Sequence, residues 1–212
     1  MTHKNLCSSV LLAGAVFLGS AAVLSGAALQ AQSTRTTSGV ALSVDVGATY
    51  ALERAKLEPS NCGCFWLGGG NGDVAVTIFK GLGLAANVSG IQAFNNLPTG
   101  EGLNKLSYLG GPRYTYKASR LMKTHPTQFF GEALFGKVHG TNSIFPGNTG
   151  TTTEATAFAM QAGVGMDIAL YKGFAVRAFE VDYVYTQLPN NGSNTQDDLK
   201  LSAGLSYHFG KR

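Results

Sequence analysis

Ala155-Thr156-Ala157-Phe158-Ala159-Met160-Gln161-Ala162-Gly163-Val164-Gly165-Met166-Asp167-Ile168-Ala169-Leu170 decides the fold class of this chain. Phe158, Met160, Ala162, Val164, Met166 and Ile168 fall on one face at a period of two. Ala159, Gln161, Gly163, Gly165 and Asp167 fall on the other. A helix would scatter these residues around its axis, whereas an extended strand sorts them into an apolar and a polar side.

The pattern recurs seven more times. Strands are expected over Val40–Leu52, Gly72–Phe79, Leu82–Phe94, Leu103–Lys117, Thr127–His139, Phe174–Gln187 and Asp198–Phe209, with Ala155–Leu170 as the sixth of eight. In the seventh, Phe179, Val181, Tyr183 and Tyr185 oppose Ala178, Glu180, Asp182 and Val184. In the fourth, Pro112 gives up a ladder hydrogen bond, so a bulge is expected there.

The connections alternate in length. Lys80-Gly81, Ala118–Pro126 and Tyr171–Gly173 are tight or modest. Glu53–Asn71, Asn95–Gly102, Gly140–Glu154 and Leu188–Asp197 are longer and richer in Gly, Asn, Ser, Thr or Pro. Short turns on one rim and long loops on the other mark outer-membrane barrels, on the periplasmic and extracellular sides respectively. Gly68-Gly69-Gly70-Asn71-Gly72 reads as a flexible loop stem. It lacks the Lys-Ser/Thr of a phosphate-binding loop.

Composition agrees. The chain has 212 residues, enough for one domain, and 28 are Gly, against a usual share of about 7%. Charged residues make up 13% and hydrophobic ones 44%, which excludes a disordered chain. The net charge of +4 is scattered, with no basic cluster of the kind that binds nucleic acid.

The N-terminus carries Lys4, then Leu6–Leu29 without a charge, then small residues up to Ala31. This predicts a signal peptide over 1–31, cut after Ala28 or after Ala31. The competing reading is a membrane anchor, against which stand the dilution by Gly, Ala and Ser and the lack of a basic stop-transfer cluster. Residues 32–39 form a short linker and 40–212 the barrel. With no later apolar run long enough for a spanning helix, a membrane-inserted mature chain has to be a closed barrel.

The apolar faces carry Tyr50, Tyr114, Tyr116, Tyr183, Tyr185 and Tyr207, and tyrosine favours membrane interfaces. The polar faces carry Asp45, Arg113, Glu132, Asp167, Glu180, Asp182 and Lys200. These are expected to share one lumen as an ion-pair network rather than an acid–base site. Arg113 with Glu132, and Lys200 with Glu180 or Asp182, are the first pairs. Eight strands leave an interior that side chains fill, so no continuous pore is expected.

Leu106-Ser107-Tyr108-Leu109-Gly110-Gly111-Pro112-Arg113-Tyr114, Phe174–Tyr183 and Leu201–Phe209 resemble the small OmpA-like and opacity-type outer-membrane barrels of Gram-negative bacteria. The resemblance implies an all-β, eight-stranded antiparallel up-and-down transmembrane β-barrel in the outer membrane, surrounded by outer-membrane lipid and lipopolysaccharide. It also implies insertion by the barrel-assembly machinery, which reads a closing aromatic. Phe209 matches that position, although Gly210-Lys211-Arg212 follow it. The peptidoglycan-binding domain of some relatives is not expected.

Cys62 and Cys64 in the first long loop are a candidate disulfide; two thiolates alone do not make a structural zinc site. No cofactor, metal or catalytic residue is expected. The expected function is non-enzymatic, envelope-structural or surface-interacting through the long outer loops, with the extracellular ligand open. Two alternatives stay open: a lipid A-modifying enzyme using His139 near Ser143 and Glu154, and a narrow ion or small-solute channel.

Overall fold

The computed structural model describes residues 42–56, 64–94, 102–118, 125–147, 150–190 and 194–210. The expected signal peptide and linker, Cys62 and the tips of several loops lie outside these residues.

Eight strands form one sheet: β1 (Ser43–Lys56), β2 (Cys64–Phe79), β3 (Leu82–Ala93), β4 (Asn104–Ala118), β5 (Thr127–Gly147), β6 (Gly150–Tyr171), β7 (Phe174–Thr186) and β8 (Gln196–Phe209). Each pairs antiparallel with the next, and β8 returns to pair with β1, so the sheet closes into a barrel. Closure leaves no sheet edge along the shared ladder. No helix among the described residues is long and apolar enough to cross a membrane.

The stagger of the barrel follows from its register. Paired residues run from Ser43 to Thr77, Gly83, Arg113, Glu132, Gly163, Asp182 and Lys200, then reach β1 again at Glu53. One circuit therefore climbs ten residues of β1 (43 to 53). That shear tilts the strands and fixes the width of the interior.

Two tight turns close the short-turn rim. Lys80 and Gly81 have φ of 45° and 90°, and Lys172 and Gly173 have 43° and 93°. Positive φ at both central residues is the hairpin geometry whose twist matches the flanking strands. At Gly81 an added Cβ would also collide with the Thr115 carbonyl oxygen.

The structure departs from the sequence-based expectations in five places. β2 begins at Cys64, eight residues before the expected Gly72, so the Gly68–Gly72 run is strand and not a loop stem. Ladder pairing with β1 and β3 satisfies this backbone, and Gly69 lets the strands approach so closely that a Cβ would meet the Gly90 oxygen. Glu53, expected in the loop, lies in β1 with its side chain buried. The expected loop Gly140–Glu154 is mostly strand, because β5 and β6 pair with each other as far as Gly147 and Gly150.

Pro112 carries no bulge. Partners on either side, Gly110 with Phe135 and Arg113 with Glu132, keep the same register, and only the ladder between them is interrupted. Bulges occur instead near the short turns, where β2 takes two steps from Thr77 to Phe79 and β6 two from Ala169 to Tyr171 against one in the facing strand, and in mid-strand in β7. Arg177 pairs with Gly204 and Glu180 with Ser202, so β7 spends three steps where β8 spends two. Ala178 and Phe179 both point outward, which removes Ala178 from the lumenal face and turns Arg177 inward.

Candidate functional site

The interior and exterior are inverted relative to a soluble protein. Val46, Val74, Leu84, Val88, Val164 and Leu205 are exposed around the outside. Arg177 and Lys200 are among the most deeply buried side chains. A belt of exposed apolar residues around buried charges suits a barrel whose solvent is lipid. Aromatic side chains mark the short-turn rim, where Phe174, Tyr207 and Phe209 meet edge-to-face with centroids 4.7 and 4.5 Å apart. Farther toward the long-loop rim, Trp66, Phe94, Tyr108 and Phe158 are exposed.

The outer membrane protein β-barrel domain family model matches residues 19–209. The chain belongs to that family. Its place is accordingly the outer membrane, as an eight-stranded barrel. No curated protein matches the chain. Among solved structures, Neisserial surface protein A is 16% identical with a TM-score of 0.55, covering 81% of this chain and all of that one. Ail, the attachment invasion locus protein of Yersinia pestis, solved with the heparin analogue sucrose octasulfate, is 16% identical with a TM-score of 0.49, covering 80% of this chain and 99% of that one.

Within this outer-membrane barrel the seven lumenal residues singled out above, Asp45, Arg113, Glu132, Asp167, Glu180, Asp182 and Lys200, are all buried. They do not form one cluster but fall into two tiers, and a third tier of other residues lies above them. At the periplasmic rim, His208 on β8 holds Asp45 on β1, with Nδ1 2.6 Å from Oδ1.

The middle tier centres on Arg177. Its guanidinium reaches Asp73, Asp167 at 2.9 Å and Glu180 at 3.1 Å. Arg113 donates to Asp73 at 2.8 Å and lies 3.5 Å from Glu132, its ladder partner. Both guanidiniums stack on Phe130, 3.7 and 4.6 Å from the ring centroid. A planar, weakly hydrated guanidinium is suited to such a shared, dry position. Lys200 donates to Gln161 Oε1 at 2.6 Å and sits 3.4 Å from Asp182. Glu180 is held by Arg177 and has no ion pair to Lys200.

The outer tier is a triad absent from the sequence-based set. Lys105 on β4 spans the lumen to Glu53 on β1 and to Asp198 on β8, the latter at 3.0 Å. Apolar side chains share the bore with these charges: Leu134 lies beside Gln161, Ile91 pairs with Lys105, and Leu67, Val138, Phe145 and Leu188 are buried as well. Charged and apolar side chains together fill the bore.

Sequence reasoning missed Arg177, Asp73, Glu53, Lys105 and Asp198. Arg177 had a signal: strict alternation places it on the lipid face, where an arginine costs about 2–4 kcal/mol at mid-bilayer. That cost points to a bulge. Lys105 and Asp198 share the parity of Ser107 and Lys200, so their inward direction was readable although their partners were not.

On the outer rim, β5 and β6 outgrow their neighbours. They contain 21 and 22 residues, whereas a spanning strand needs about 9–11. β4 pairs with β5 only up to Thr141, and β7 with β6 only from Ala159. The hairpin above these points stands alone. An irregularity between Thr141 and Phe145, with Asn142 at φ 60°, folds Phe145 back onto the mouth against Leu188. Ile144 remains exposed. His139 and Glu154 approach to 3.8 Å on the barrel's outside, and His139 Nδ1 is 2.8 Å from Thr156 Oγ1. No hydrogen bond joins Ser143 to either among the described residues.

Proposed function

We propose that this barrel is a non-enzymatic surface protein that makes its contacts through the extracellular β5–β6 hairpin. The carrying observation is the length of that hairpin, roughly ten residues per strand beyond what the bilayer requires. Threonines and Glu154 dress its β6 side, with Ile144 exposed on β5. An ordered, solvent-facing extension on a rigid scaffold is the usual place for a binding function. The interior supports the same reading, since a bore filled by ion pairs and buried apolar side chains serves anchoring rather than transport.

Cells displaying the wild-type barrel would be compared with cells displaying one in which 142–153 is replaced by a two-residue turn. Adhesion to glycosaminoglycan-coated and protein-coated surfaces, and detergent sensitivity of the envelope, are the readouts. Loss of adhesion with an intact envelope supports the surface role. Identical behaviour of wild type, truncation and empty vector rules it out.

The His139–Glu154 contact keeps a lipid A-modifying reading testable. His139→Ala is expected to leave lipid A acylation, read by mass spectrometry, unchanged.

A further inference from the structure

The row of lumenal residues that climbs the barrel reads Arg113, Glu132, Gly163, Asp182, Lys200, Glu53 across successive strands. Its charges run plus, minus, nothing, minus, plus, minus. Everywhere but at Gly163 each charge has an opposite neighbour. At Gly163 two carboxylates face one another across a residue with no side chain.

We propose that the lumen binds one divalent cation, of the calcium or magnesium type, at this gap, between Glu132, Glu180 and Asp182. One carboxylate oxygen from each of the three lies within 4.8 Å of the others. Two oxygens on opposite sides of a calcium ion stand about 4.8 Å apart, since each bond is about 2.4 Å. A set made only of oxygen atoms selects hard cations over zinc or copper.

The second observation is the state of the oxygens that flank the gap. Asp182 is fully buried, and Oδ1 has no hydrogen-bond partner. Oδ2 lies 3.4 Å from Lys200 Nζ and accepts no hydrogen bond. Glu132 Oε2 also accepts no hydrogen bond, with Arg113 Nε at 3.5 Å. Buried carboxylate oxygens without donors are costly, and a cation removes that cost. Gly163 keeps the space: a Cβ there would overlap Asp182 Oδ1 and stand 2.7 Å from the Val181 oxygen. Its φ is not in the left-handed region, so the backbone does not require glycine.

Charge balance gives the valence. In the middle tier, Asp73, Glu132, Asp167, Glu180 and Asp182 face Arg113, Arg177 and Lys200. With all five carboxylates ionised against three cations, two negative charges remain, which one divalent ion cancels.

The test uses the full barrel refolded without lipopolysaccharide into zwitterionic detergent and freed of metal with EDTA. Calcium chloride and magnesium chloride are each titrated by calorimetry. The temperature at which the folded band converts on a gel is measured in parallel. Saturable uptake of one ion per chain, with a higher conversion temperature, is expected, since an ion that binds only the folded state stabilises it. Asp182→Asn should weaken uptake by at least about tenfold, or about 1.4 kcal/mol, while still folding. If Asp182→Asn yields no folded band, Glu132→Gln, the other flank of the gap, takes its place. Glu154→Gln, on the outer hairpin, should bind as wild type does. Absence of saturable uptake by the wild-type barrel overturns the proposal, as does undiminished uptake by the lumenal variant.

Discussion

Arg177 shows what one side chain does inside a barrel. Fully buried, it binds carboxylates from β2, β6 and its own strand. Removing one member of a buried ion pair leaves the others uncompensated and costs about 3–5 kcal/mol. Arg177→Met should therefore lower the urea midpoint of the barrel in micelles markedly, as followed by the fluorescence of Trp66, the single tryptophan. A midpoint shift as small as that of a substitution on the lipid face would mean that protons or water already compensate these acids. The lumenal glycines belong to the same account. At Gly47 a Cβ would collide with Asp73, and at Gly165 with Phe130. The polar faces are rich in glycine because the charges and the ring opposite them need the volume.

At the scale of elements, the eight strands and the direction of nearly every side chain were legible, because period-two alternation is a local property of each strand. Three things were not. The bulge at Ala178 breaks the period by one residue, so a strand read as regular loses Arg177 to the wrong face. The Gly68–Gly72 run and the Gly140–Glu154 segment look like loops by composition, yet a neighbouring strand supplies the ladder that makes them strand. The pairs between neighbouring strands, Arg113 with Glu132 and Lys200 with Asp182, were readable, whereas those that cross the lumen, such as Asp73 with Arg177, are encoded by no local pattern. The bulge makes a prediction of its own. Deleting Ala178 restores plain alternation, brings Arg177 and Glu180 two steps apart to match Gly204 and Ser202, and keeps both inward. The deletion should give a folded, heat-convertible band. Deleting Val164 from the regular middle of β6 should not, because a one-residue slip turns every inward side chain beyond it outward.

For the whole molecule, the filled bore predicts the absence of unitary conductance. Planar bilayers holding the purified barrel at neutral pH should show no discrete steps, and reproducible steps would reinstate the narrow channel. The family match and the inverted distribution of apolar and charged residues together make the outer membrane its solvent. The barrel's one line of closure without a connecting turn is the seam between β1 and β8, where the first and last strands meet. Asp45 and His208 join across it near the periplasm. Higher up, Lys105 reaches from β4, which belongs to neither strand, and grips Glu53 on one lip and Asp198 on the other. A zipper whose two sides are pinned to the facing wall cannot part sideways until that pin is withdrawn. The seam is thereby guarded by a residue that belongs to the opposite wall.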